Sequence, residues 1–153
     1  MSTQSTASPA GTPTAPANRS TIMPSMRYHD APAAMDWLCQ VIGFTRHAVY
    51  ANPDGTIAHA ELTLGGGMIM LGSEKSDEYG RGFKPPRELG AETRGVYVVV
   101  PNPDEIFARA QAANAAIVRP LQDMEYGSRE FTLKDPEGHS WSLGTYNPWE
   151  KHQ

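Results

Sequence analysis

A spacing of 72 residues runs through this chain and limits what it can fold into. Shifting the first half by 72 places Gly55-Thr56 on Gly127-Ser128, Gly66 on Gly138, and Leu71-Gly72 on Leu143-Gly144. Several matches at one offset mark a duplicated architecture. Local signals inside each copy agree. Residues 22–28 read as a strand, Asp30 as an N-cap, Pro32 as a first-turn residue and 33–41 as a helix that Gly43 ends. A strand over 44–50 follows, then the turn Asn52-Pro53-Asp54-Gly55, where Pro sets φ and Gly accepts a positive one. Strands over 56–64 and 68–72 flank Gly65-Gly66-Gly67. The second copy runs strand 94–100, helix 104–113, strand 116–121, and a hairpin of 129–134 with 139–146 across Asp135-Pro136-Glu137-Gly138.

The expected fold is α+β: two βαβββ repeats, about 22–72 and 94–149, forming a curved mixed sheet around a cleft. Residues 73–93 link the repeats and are long enough to serve as a lid or binding loop. Residues 1–21 are almost wholly Ser, Thr, Pro, Ala and Gly; they bury too little apolar area to offset ordering, so a disordered tail is expected. An arm ordered on a partner subunit is the alternative. Cys39 is the sole cysteine, which excludes an intrachain disulfide and points to a reduced, cytoplasmic setting. No apolar run is long enough to span a bilayer, and the N-terminus lacks a secretory pattern. The net charge of −4 speaks against nucleic acid as a partner.

Strand alternation assigns faces. Val96, Val98 and Val100 are placed toward the helices, as are Trp141 and Leu143, and Ala58, Ala60, Leu62 and Leu64. The opposite, concave face then carries Tyr97, Ser140, Ser142, Met68 and Met70, with Ile57, His59, Glu61 and Thr63. The 72-residue offset adds Arg129, Phe131 and Leu133 to it. This mixture of apolar and polar groups suits a small-molecule cleft, with Met68, Met70, Tyr97, Arg129, Phe131, Ser140 and Ser142 as ligand-binding candidates. Trp141, Tyr146 and Trp149 are expected near its edges. His59 and Glu61, two apart on one strand, are the acid–base candidates. Each has an ordinary reading too: methionines fill core gaps, a His beside a Glu is commonly a hydrogen-bonded pair, and Arg129 and Glu130 can simply meet solvent or a partner chain.

The segments NPDGTIAHAELTLGGGMIML, YGSREF and FTLKDPEGHSWSLGTY, set in two βαβββ units over 22–149, resemble the vicinal-oxygen-chelate superfamily, the glyoxalase, bleomycin-resistance and dioxygenase-like proteins. The HAEL segment and DPEGHSWSL are similar to its phosphonate-operon-B and demethylubiquinone-methyltransferase-like glyoxalase subgroup. That resemblance implies metal-ligand positions on the first and last strand of each unit. Carried over, they fall on Met23, Met70, Gly95 and Ser142, none a usual ligand for a borderline divalent ion. The resemblance therefore implies a metal-free, cofactor-free protein that binds a small organic ligand. A metal-independent lyase or isomerase using Glu61 and His59 is the alternative, ahead of a metal-dependent enzyme. Relatives are commonly dimers, so a homodimer is expected, with Tyr146 and Trp149 suited to its interface. No glycine-rich nucleotide loop supports methyl transfer.

Overall fold

A computed structural model describes residues 19–150. The elements are β1 (Ser25–Tyr28), α1 (Ala31–Trp37) with a π-helical continuation (Leu38–Ile42), β2 (Thr45–Ala51), β3 (Ile57–Leu64), β4 (Gly67–Ser73), the short helices α2 (Glu78–Arg81) and α3 (Pro86–Leu89), β5 (Val96–Val99), α4 (Pro103–Ala112), β6 (Ala116–Asp123), β7 (Arg129–Lys134) and β8 (Ser140–Gly144). The strands β1–β4 with α1 make one βαβββ unit, and β5–β8 with α4 make a second. The tail expected over 1–21 lies almost wholly outside the described residues; Ser20 donates its N–H to the Gly66 carbonyl at 2.8 Å.

Local chemistry places the elements. The Asp30 carboxylate accepts from the Ala33 N–H at 3.1 Å, capping α1 ahead of Pro32. Gly43 ends the helical stretch at φ +106, a conformation that disfavours a side chain. Asp54 holds its turn by accepting from the Thr56 N–H and hydroxyl.

Each unit forms its own four-stranded mixed sheet, ordered β1-β4-β3-β2 and β5-β8-β7-β6. The first and last strands of each unit pair in parallel, Ser25 beside Met70 and Tyr97 beside Ser142. The apolar faces of both sheets and the helices share one core, containing Tyr28, Leu38, Phe44, Leu62 and Leu71 of the first unit with Ile106, Phe131, Leu133, Trp141 and Leu143 of the second. The polar faces are consequently turned outward.

Contacts between the units are specific as well as apolar. Phe44 meets Trp141 edge-on at 5.6 Å, and Arg109 on α4 donates to the Val41 and Ile42 carbonyls at 3.0 and 3.2 Å. Asp135, buried in the β7–β8 turn, accepts from the Tyr28 hydroxyl at 2.6 Å and the Trp141 indole at 3.1 Å. Glu137 of that turn accepts from the His29 and Asp30 amides, placing a carboxylate at the start of α1, where the helix dipole favours it.

One structural detail overturns part of the face assignment. Met70 and Ser142 are 72 apart, but their strand partners Glu61 and Thr132 are 71 apart. Five residues separate the closing pair Lys134 and Ser140, against four between the corresponding Thr63 and Met68. A one-residue slip exchanges the faces of a strand. Phe131 and Leu133 therefore lie in the core at 1% and 0% exposure, Phe131 against Phe107 on α4, and Glu130 and Thr132 take the polar face instead. Arg129 turns to Asp104 and Asp123. In β3 an irregularity between Tyr50 and Ala51 skips Ala58 and turns Ile57 into the core. Trp141 is fully buried, as its alternation indicates, and is not at a cleft edge.

Candidate ligand-binding cleft

On the polar face of the second sheet, Tyr97, Tyr126, Glu130, Tyr146 and Pro148 line a cleft of about 550 Å³. Strand β5 supplies Tyr97 and β7 supplies Glu130. Tyr126 comes from the β6–β7 turn, which Gly127 closes at φ +86. Tyr146 and Pro148 follow β8. Gly144 lets Glu130 and Tyr97 pack close against the strand: a Cβ there would stand 2.7 Å from the Glu130 Cβ and 2.8 Å from the Tyr97 hydroxyl.

The hydrogen bonds form one connected set. Tyr126 donates to one Glu130 oxygen at 2.5 Å and Ser128 to the other at 2.8 Å. The Ser128 hydroxyl accepts from the Tyr146 N–H at 3.1 Å, and the Tyr97 hydroxyl donates to the Tyr146 carbonyl at 2.8 Å. The Tyr126 and Tyr146 rings meet edge to face at 5.7 Å. Glu130 is 5% exposed, and its one cationic neighbour among the described residues is Arg119, 3.8 Å away and half exposed. Burial pushes the Tyr97 phenol above its ordinary pKa, and the bond to Glu130 does the same for Tyr126, so both remain donors at neutral pH.

The candidates named from sequence divide between the two sheets. Tyr97 lines the cleft. Ser142 lies beneath it on the same face, its hydroxyl 2.8 Å from that of Thr132. Ser140 shares the face, but its N–H is held by Glu92 at 2.6 Å. Met68, Met70, His59 and Glu61 belong to the first sheet, and none of them lines this cleft. There His59 and Glu61 are 2.9 Å apart, His47 is 3.9 Å from Glu61, and the Tyr50 ring stacks on His59. Phe131 and Arg129 leave the ligand-binding set: one is core, the other is ion-paired beside α4. Sequence reasoning missed Tyr126 and the burial of Glu130. Counting the residues of the two hairpins would have found Glu130.

The 73–93 linker lies elsewhere. It packs on the β7–β8 turn, Arg87 donating its N–H to the Glu137 carbonyl at 2.9 Å, and none of its residues lines the tyrosine cleft. A second hollow of about 240 Å³ between linker and turn is lined by His29, Glu74, Pro85, Arg87, Glu88 and Glu137.

The inner strands bear on metal binding. Met23 and Gly95 precede β1 and β5, while Ser25 and Tyr97 stand beside Met70 and Ser142. On either assignment the donors are hydroxyls, a thioether or nothing, and the Tyr97 hydroxyl is already committed. Such a set does not fit a divalent metal. No cluster of three or more His, Cys, Asp or Glu that could hold one occurs among the described residues.

Two βαβββ units back to back on one core, each with an outward polar face, define the glyoxalase-like, or vicinal-oxygen-chelate, class of fold. The chain belongs to the Glyoxalase/Bleomycin resistance protein/Dioxygenase superfamily, whose family model matches residues 21–143. An uncharacterized protein of Mycobacterium tuberculosis, Rv0887c, is 31% identical over 123 residues, 80% of this chain and 72% of that protein. TioX from Micromonospora sp. ML1 is 35% identical with a TM-score of 0.67, covering 84% of this chain and 99% of TioX. FosX of Listeria monocytogenes, solved with Mn(II) and sulfate, shares the fold at 10% identity and a TM-score of 0.59, covering 84% and 93% of the two chains. No described helix is long and apolar enough to cross a membrane.

Proposed function

We propose that this protein captures a small organic ligand on the polar face of its second unit, without a metal. The observation that carries the reading is the tyrosine-lined cleft around a buried Glu130, in a chain whose family ligand positions hold none of the usual ligands of a divalent metal. A cleft of about 550 Å³ with mostly aromatic walls and few polar groups is the usual composition of a small-molecule site. The cleft is open on one side. A second copy of the chain, setting its first-unit face of Met68, Met70, His59 and Glu61 over the tyrosines, would close it, which makes a homodimer the expected assembly. The cytoplasm is the expected location, given the lone Cys39. The subgroup likeness in HAEL and DPEGHSWSL adds nothing about the ligand.

A thermal-shift panel of glycopeptides, quinones and flavin-like compounds tests the reading, because a ligand raises the melting point with its concentration over Kd. A concentration-dependent shift lost in Tyr97→Ala is the expected result. Absence of a shift across the panel in protein shown by sedimentation to be dimeric would count against it. Elemental analysis of protein purified without chelator is expected to show no stoichiometric metal.

The His59–Glu61 pair favours a second reading, a metal-independent lyase or isomerase with Glu61 as base. Its contact at 2.9 Å on a half-exposed face leaves both groups reachable by a substrate. Turnover abolished by Glu61→Gln, with ligand binding retained, is the result that would establish it.

A further inference from the structure

Glu130 is the least ordinary group in the cleft. A carboxylate at 5% exposure is costly unless its charge is answered, and here two hydroxyls and one loose, half-exposed arginine answer it. An ion pair at 3.8 Å with a half-exposed partner contributes little. Beside the carboxylate stand three tyrosine rings, whose faces are electron-rich and attract cations. Glu130 itself lines the cleft beside those rings. Resting on the small-ligand reading above, we propose that the cleft selects an organic cation: a flat aromatic body held among Tyr97, Tyr126 and Tyr146, with a protonated or quaternary nitrogen directed at Glu130. Neutral and anionic rings of the same size lack the partner for the carboxylate and bind more weakly.

Arg119 makes the assignment testable in both directions, because it competes with the ligand for Glu130. The experiment titrates the full-length protein by fluorescence with proflavine, a planar cation, with acridone, a neutral ring of similar size, and with anthracene carboxylate, an anion. Proflavine should bind at least about tenfold more tightly than either, and added salt should weaken it. Glu130→Gln should erase that preference, and Arg119→Ala should tighten proflavine several-fold. Should Glu130→Gln fail to fold, as judged by circular dichroism, Arg119→Ala and the salt series decide: tightening supports the cation, unchanged or weaker binding overturns it. Acridone or the carboxylate binding as well as proflavine overturns the charge selection and leaves the small-ligand reading standing. If none of the three binds while other compounds in the thermal-shift panel do, the cation assignment falls alone; if nothing binds, both fall.

Discussion

Removing a single oxygen from Tyr28 tests how the two units are held together. Its hydroxyl donates to Asp135 at 2.6 Å with no solvent contact, joining β1 to the β7–β8 turn. A hydrogen bond to a charged acceptor contributes about 1.5–3 kcal/mol. In Tyr28→Phe the carboxylate keeps the Trp141 indole and the Glu137 and His139 amides, so the loss should fall near the lower end, about 1.5–2 kcal/mol. For a domain of this size that corresponds to a melting point lower by roughly 5–8 °C at neutral pH.

The pH dependence sharpens the test. Burial first, then Asp135, raises the Tyr28 phenol well above its ordinary value. Above pH ~10 the unfolded chain releases this proton while the folded one holds it, so alkali favours unfolding. The contribution is complete below about pH 10 and declines by at most about 1.4 kcal/mol per pH unit until the folded group itself ionises. Tyr28→Phe lacks this decline, so the stability gap between the two proteins should narrow as pH rises from 10. Urea denaturation at intervals between pH 7 and 11.5 measures it. A gap that stays constant, or a variant as stable as the parent at pH 7, would refute the reasoning.

Phe131→Ala should destabilise by about 3–5 kcal/mol, since it empties a core site against Phe107, and denaturant midpoints read this directly. Arg129→Ala, which removes exposed ion pairs with Asp104 and Asp123, should leave melting and ligand binding nearly unchanged. Arg109→Ala removes two hydrogen bonds to the carbonyls ending the first helical stretch and should cost about 1–2 kcal/mol, with hydrogen exchange rising first near Val41 and Ile42. Gly144→Ala should abolish ligand binding in calorimetric titration while the far-ultraviolet spectrum is retained, because the added methyl meets Glu130 and the Tyr97 hydroxyl.

Much of the molecule is written in local signals. The repeat, the Asp30 cap, the Gly43 stop and the turn at Gly55 depend on residues near in sequence, and each stands where the sequence places it. So do the buried Trp141 and Leu143 and the outward Ser142, because alternation within one strand needs no distant information. That Met70 and Ser142 offer a thioether and a hydroxyl is read from residue type alone.

What the sequence alone determined, then, is the duplicated βαβββ architecture. Only tertiary structure decided which side chains make the cleft. The face of β7 depends on its register with β8, and register depends on a hairpin longer by one residue, which a uniform offset of 72 ignores. That single residue exchanged Phe131 for Glu130 and so replaced an apolar wall with a buried charge. The outward direction of both polar faces also followed from packing: each apolar face alone would stay wet, and burying both in one core leaves the tyrosine cleft on one side of the molecule and His59 with Glu61 on the other sheet.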